Sequence, residues 1–350
     1  MKKLQLSLFS LLALNILNAG ETVSMEEVNA SVQNHTFKFA LETGIKQNHW
    51  NPGLAKSDGQ YLLNYDTEGI NVYYGKLKGK VKNTDIFVLE AYRPIDDSAN
   101  QKYLISERKR DDKENSFIEG VRFSIHLSKL LDYLLETDTI GNFDFEYESR
   151  NFVGLGTLTQ NSFYWFGQNT GDINQDYLPI EKGTNLSFKT KFETYKLIYT
   201  WEKLLGGFDF SLGGFDATWS KPTFTQTYAL KEVPVFFHAN YHTQGVSLNI
   251  GQEEKNYKIK AFLDYGLNNE IKLTNTISAS DILEQNEKLS MMIYGLTADR
   301  RINLFTHKKV YFDFVIGGNV QYSKIGRDYT DTKLDAEFNW GYHVGLEATF

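Results

Sequence analysis

Residues 338–350 read Phe-Asn-Trp-Gly-Tyr-His-Val-Gly-Leu-Glu-Ala-Thr-Phe. Every second residue is bulky or apolar: Phe338, Trp340, Tyr342, Val344, Leu346, Ala348 and Phe350. Between them stand Asn339, Gly341, His343, Gly345, Glu347 and Thr349. A period of two held this long puts one face of an extended strand in an apolar medium and the other in a polar one. The stretch is also long enough to cross a bilayer at a tilt, for which about 9–11 residues suffice.

Working back along the chain, the same alternation recurs. Phe37, Phe39 and Leu41 alternate with Lys38 and Glu42; Val121, Phe123 and Ile125 with Arg122 and His126; Phe143, Phe145 and Tyr147 with Asp144, Glu146 and Glu148. Ile70, Val72 and Tyr74 form a similar stripe, as do Leu186, Phe188 and Phe192 beside Lys189 and Lys191. Phe208, Phe210 and Leu212 precede Gly213-Gly214, after which Phe215, Ala217 and Trp219 run in the opposite parity, so a bulge is expected at the glycines. Val246, Leu248 and Ile250 follow. Then Tyr257 to Tyr265 alternate with Lys258 and Lys260, and Val310 to Tyr322 with Asp313. Strands near 84–92 and 288–299 are apolar on both faces, which leaves their facing open.

This gives twelve strands, near 35–45, 68–78, 84–92, 117–127, 141–149, 185–201, 207–220, 243–251, 256–266, 288–299, 309–322 and 336–350. The connections alternate long and short, as in membrane barrels with short periplasmic turns and long outer loops. The expected fold is therefore all-β: a transmembrane antiparallel barrel of about twelve strands, closed so that no strand edge meets lipid. Aromatic residues are abundant, with 25 Phe, 21 Tyr and 5 Trp, and only 5 Pro interrupt the strands.

The first residues read as a leader. Lys2 and Lys3 precede an apolar stretch from Leu4 to Leu17, short of the roughly 20 residues of a spanning helix. Leu17-Asn18-Ala19 offers a cleavage site. We expect a signal peptide over 1–19, a periplasmic segment over 20–34 and the barrel over 35–350; a retained anchor helix is the alternative. The chain has no Cys, which excludes a lipid-modified cysteine, disulfides and thiolate metal sites. It carries 37 basic and 44 acidic side chains, a net charge of −7 that deepens if Lys2 and Lys3 are removed. No basic block is present, so nucleic acid is not an expected partner.

A final strand of alternating apolar residues closing on Phe350 resembles the assembly signal of bacterial outer-membrane barrels, with Trp340, Tyr342, Leu346 and Phe350 at the recognised positions. The resemblance covers the two ends of the chain and the strand pattern between them, and it names an architecture rather than one functional family. It implies export to the outer membrane of a Gram-negative bacterium, insertion by the barrel-assembly machinery, and contact with outer-membrane lipids and lipopolysaccharide.

By alternation, the lumen should be lined by Lys38, Glu42, Arg122, His126, Asp144, Glu146, Glu148, Lys189, Lys191, Lys258, Lys260, Asp313, His343 and Glu347. Charges of both signs on neighbouring strands can pair across the wall or tune which solutes pass. The leading expectation is a porin-like channel for passive diffusion of small hydrophilic solutes. The alternatives are a plugged structural or surface-interaction barrel and an outer-membrane lipid-modifying hydrolase. Residues 240–247, Asn-Tyr-His-Thr-Gln-Gly-Val-Ser, loosely resemble an outer-membrane phospholipase motif, but Gln244 stands where the nucleophilic Ser belongs, so no nucleophile is assigned to either His242 or His126. The acid pairs Asp96-Asp97 and Asp111-Asp112 are balanced by Arg108, Lys109 and Arg110 and read as solvated loop charge.

Three smaller features remain. Leu127, Leu130, Leu131, Leu134 and Leu135 have helical spacing after which a rim helix, or a partial plug, is expected, with Ser128 as a possible cap. Phe163, Tyr164, Trp165 and Phe166 suggest an interfacial girdle or a stacking platform. Asp172, Asn174 and Asp176 begin like a calcium loop, but Tyr177 replaces its Gly and Gly183 its closing Glu. No metal or other cofactor is expected.

Overall fold

The computed structural model describes residues 37–51, 56–57, 60–61, 63–65, 70–81, 84–94, 117–135, 142–165, 170–225, 235–254, 256–273, 290–308, 310–326, 332–333 and 336–350. The leader, the segment 20–34 and the acid pairs at 96–97 and 111–112 lie outside these residues.

Twelve long strands form the wall. They are β1 (Phe37–Asn51), β2 (Ile70–Val81), β3 (Thr84–Pro94), β4 (Phe117–His126), β5 (Asn142–Leu158) and β6 (Asn185–Leu205), followed by β7 (Phe208–Thr225), β8 (Val235–Glu253), β9 (Tyr257–Leu273), β10 (Ser290–His307), β11 (Val310–Gly326) and β12 (Glu337–Thr349). Each pairs antiparallel with its sequence neighbour, and β12 pairs with β1, so the sheet closes. Closure runs to the last residue: Phe39 N donates to Phe350 O at 3.1 Å and Phe350 N to Phe39 O at 2.9 Å. A closed wall satisfies every ladder group internally, which is the condition for standing in hydrocarbon.

The faces follow the pleat. Phe39, Leu41, Leu197, Leu212, Ile250 and Leu346 are among the large apolar side chains exposed on the outside. Such a band cannot face water around a whole barrel, so it faces lipid. Trp340, Tyr342 and Phe350 share this outer face, and the Trp340 ring stacks on His49 at 3.9 Å.

Three expectations need correction. Ile70, Val72 and Tyr74 on β2 point inward and are buried, and Tyr73 faces out. The apolar stripe there is lumenal, and Lys76, Lys78 and Lys80 continue it. No bulge occurs at Gly213-Gly214, because β7 pairs in unbroken register with β8. Phe208, Phe210 and Leu212 lie on the outer face while Phe215, Ala217 and Trp219 lie within. The register shifts fall elsewhere, at Gly79/Lys80, Trp201/Leu205, Gln244/Gly245 and Asn303/Phe305. Finally, several strands run well past their expected ends at the long-loop end: β5 reaches Leu158 and β8 starts at Val235. Beyond the bilayer both faces meet water, so alternation is no longer imposed.

α1 (Leu127–Leu135) joins β4 to β5 at the short-turn end. At the other end, strands Ser162–Trp165 and Tyr177–Ile180 form a hairpin around α2 (Ile173–Asp176), and Phe163-Tyr164 pairs parallel with Val235-Phe236 on β8.

Candidate functional site

The lumen is built by side chains of every strand, and it changes character along its length. Near the short-turn end Glu42 on β1 and Glu347 on β12 stand directly opposite each other across the closing seam. Like charges so placed repel. β2 supplies the remedy. Lys78 sits between both carboxylates and bonds each. Lys76 lies 3.2 Å from Glu42 and Lys80 2.5 Å from Glu347. Tyr74 also donates to Glu42, at 2.9 Å. Its ring fits against the wall because Gly44 and Gly345 face each other there: a Cβ on Gly345 would stand 2.2 Å from the Tyr74 hydroxyl. Arg301 on β10 reaches across to Asp85 on β3 at 3.6 Å, tying together strands far apart on the ring.

Above this network further ion pairs line the lumen. Arg122 bonds Glu148 at 3.0 Å, Lys260 bonds Glu146 at 2.5 Å, and Lys196 bonds Asp264 at 2.6 Å. His126 pairs with Asp144, which also accepts from Thr200 at 2.7 Å. These side chains surround a cavity of about 360 Å³, lined also by Phe192, Phe262 and Ile293. Nine carboxylates and seven Lys or Arg side chains line it, a small excess of negative charge.

Above the cavity a crossbar spans the lumen. Trp50 on β1 stacks on Phe152 of β5, with centroids 4.3 Å apart. The Arg150 guanidinium lies 5.2 Å from the Phe152 ring centre and 4.7 Å from that of Phe192 on β6. Phe192 packs on Trp219 of β7 at 4.7 Å. β1 and β7 are opposite strands of a twelve-strand ring, so the stack runs from wall to wall. Arg150 is 1% exposed and also donates to Gln321 on β11 at 3.3 Å, again the opposite wall. Cation–π contact suits a desolvated guanidinium. Phe215, Ala217, Tyr241, Met291 and Ile293 pack around the Trp219 end of the bar, and Phe163 and Tyr177 of the loop hairpin pack against them.

The expected lumen residues are placed as follows. Glu42, Arg122, His126, Asp144, Glu146, Glu148, Lys258, Lys260, His343 and Glu347 face inward; Lys258 bonds Glu253 at 2.7 Å, and His343 lies 3.4 Å from Asp299. Lys38 and Asp313 sit near the short-turn rim, Lys38 over the Tyr311 ring and Asp313 accepting from Asn303 at 2.8 Å. Lys191 is a correction: it lies on the outer face, 52% exposed, 3.4 Å from Glu193. β6 turns Thr190, Phe192, Thr194 and Ile198 inward instead. The Phe192 ring is lumenal, so the apolar stripe that was to mark the lipid face marks the lumen. Lys189 shares the backbone parity of Lys191; its side chain lies outside the described residues. The partner of Glu146 on β6 is Lys196, directly opposite it. Lys76, Lys78, Lys80, Lys196 and Arg150 were missed. For β2 the signal was present: lysines spaced by two belong on the face away from lipid.

The smaller features also resolve. Phe163 packs toward the lumenal cluster and not into an interfacial girdle; the side chains of Tyr164, Trp165 and Phe166 lie outside the described residues. Asp176 accepts from Thr170 N at 2.9 Å, Thr170 Oγ at 2.8 Å and Gly171 N at 3.2 Å, so it fastens a turn. The backbone donor of Thr170 holds its carboxyl below the usual aspartate value. His242 faces outward, 3.1 Å from Asp216. Among the described residues no group of three or more His, Asp or Glu is arranged to hold a metal.

The geometry thus defines a twelve-strand transmembrane barrel with a barred, charge-lined lumen. No family model matches the sequence, and no curated protein matches it. Solved structures with a similar course include the CymD monoaromatic hydrocarbon channel, at 9% identity and a TM-score of 0.32, covering 91% of this chain and 90% of that one. An outer-membrane channel from Pseudomonas putida F1 matches at 11% identity and 0.31, over 94% and 100%. The outer-membrane protease OmpT of Escherichia coli matches at 8% identity and 0.23, over 91% and 99%. Likenesses this loose fix neither substrate nor activity.

Proposed function

We propose that this barrel resides in the outer membrane of a Gram-negative bacterium and is a narrow channel for small hydrophilic solutes. The observation that carries this reading is the charge-lined cavity inside the wall. Its walls carry long charged side chains paired with one another, so a small hydrated solute can replace one partner at a time. The excess of carboxylates gives a modest preference for cations. A second reading, a closed barrel that acts through its outer loops, is favoured by the crossbar from Trp50 to Trp219.

Single-channel conductance in planar bilayers tests both, with the protein as it stands and with Arg150→Ser. Conductance steps in the unaltered protein, with weak cation selectivity, support the channel. Steps only in Arg150→Ser support a barrel kept closed by the crossbar. Silence in both, with the protein folded, overturns the channel reading.

A further inference from the structure

α1 is the only helix among the described residues at the short-turn end, and its apolar side is uncovered. Leu131, Leu134 and Leu135 are 46%, 62% and 63% exposed. The helix is nonetheless firmly seated. Ser128 Oγ accepts a hydrogen bond from Phe143 N at 2.9 Å, which pins α1 to the foot of β5. Lys129 lies 2.5 Å from Glu202 at the foot of β6. Helical spacing returns Leu127, Leu130, Leu131 and Leu134 to one side, away from Lys129 and Asp132.

Another side of the helix, at Tyr133, touches a surface whose solvent is already defined. Tyr133 leans on Phe37, with ring centroids 5.5 Å apart, and Phe37 packs on Phe39 at 4.9 Å. Phe39, Leu41 and Ile45 then run up the outer face of β1 as part of the lipid-facing band. The helix is thus held at the lower edge of that band by Tyr133, while its exposed leucines point away from this contact.

We infer that α1 is an interfacial helix whose leucine side is seated in the membrane leaflet at the short-turn end, so that phospholipid is its partner. An amphipathic helix of this kind lies in the plane of the membrane, about 5–10 Å into the boundary between headgroups and acyl chains. Burial there removes the leucines from water, the driving force that the barrel itself does not supply for them. The helix acts as a collar that sets how deep the barrel sits at this end.

The lack of native Cys makes the test direct. Leu134→Cys and, separately, Leu131→Cys are labelled with a fluorophore, and the full chain is refolded into phosphatidylcholine vesicles. Quenching by brominated acyl chains is compared with quenching by aqueous iodide. Labels at Leu41→Cys and Asp172→Cys give the lipid and water references. Both α1 labels should be quenched by brominated lipid nearly as strongly as the Leu41 label and shielded from iodide. Quenching by iodide alone at both positions would overturn the inference, and so would shielding from both quenchers, which would mean that protein covers the leucines.

Discussion

Below Arg150 the lumen is dominated by charge; at and above it aromatic rings take over, beside polar groups such as Asn339 and Glu337. Both halves must close the same wall around the same width, but they do so with different tolerance. Rings pack against one another without direction, and the Trp50–Phe152–Arg150–Phe192–Trp219 bar is stacked ring to ring. Carboxylates and ammonium groups must meet end to end, and the space beside their stems stays open. The cavity lies in this charged half, and Phe192 of the bar is part of its lining. The charged half also depends on complete pairing, because a charge that loses its partner inside the wall cannot be absorbed by packing.

The sharpest break in that comparison is Lys78→Met. It leaves Glu42 and Glu347 opposed across the seam where the first and last strands meet. Breaking a buried pair in this way costs about 3–5 kcal/mol. The urea midpoint in detergent should fall accordingly, and the heat-modifiable gel shift should be lost at lower temperature. Adding Glu347→Gln should restore part of the loss. An unchanged midpoint for Lys78→Met would mean that the seam is held by its ladder alone.

In the aromatic half the matching change is Phe192→Ala. Removal of a buried ring costs about 3 kcal/mol, through lost contacts and the void left behind. It should also breach the crossbar next to the cavity, so conductance should rise while stability falls. In the charged half, stability and conductance should not be traded this way. If Phe192→Ala destabilises without any change in conductance, the bar is a packing element and the barrier lies elsewhere.

Selectivity separates the inside of the wall from the outside. Lys260→Glu turns the Lys260–Glu146 pair into two acids beside the cavity. It should shift reversal potentials toward cations and cost about 1 kcal/mol, because the pair is partly solvated. Lys191→Glu, on the outer face, should change stability by no more than about 0.5 kcal/mol and selectivity not at all. A selectivity shift from Lys191→Glu would return that side chain to the ion path.

Much of the wall was legible because lipid imposes a strict rule. Leu346, Leu41 and Ile250 had to face out, and the twelve-strand count and the alternation of loops follow from that rule. The lumen was less legible because it obeys a weaker one. A side chain pointing inward need only be compatible with its neighbours, so Phe192, Phe215, Trp219 and Tyr74 stand there as readily as Glu146 does. Alternation reads an aromatic stripe as lipid-facing, and at β2, β6 and the second half of β7 this inverted or broke the assignment. Arg150 was invisible for another reason: Phe152 lies on its own strand and Phe192 directly opposite it on β6, but Gln321 comes from β11, and only closure of the ring brings that partner across.

The mildest perturbation acts from outside the membrane, on the hairpin that covers the aromatic half. Asp176 ends α2, next to Tyr177, and ties down Thr170 and Gly171. Hydrogen bonds from those donors favour the charged carboxylate, so its folded value lies below that of an unstructured aspartate. The sign follows from linkage: the turn's contribution is complete above the ordinary aspartate value and fades as pH falls through the lowered one. Acid should therefore loosen the hairpin and admit protease to the segment around 170–176, while at neutral pH it stays closed. Asp176→Asn removes the charge and should produce the loosened pattern at neutral pH, with the urea midpoint of the barrel nearly unchanged. Limited proteolysis across a pH series reads this directly. Equal protection of Asp176→Asn and the unaltered protein would show that Phe163 and Tyr177, seated on the aromatic cluster, hold the hairpin without the turn, and that the aromatic half keeps its own cover.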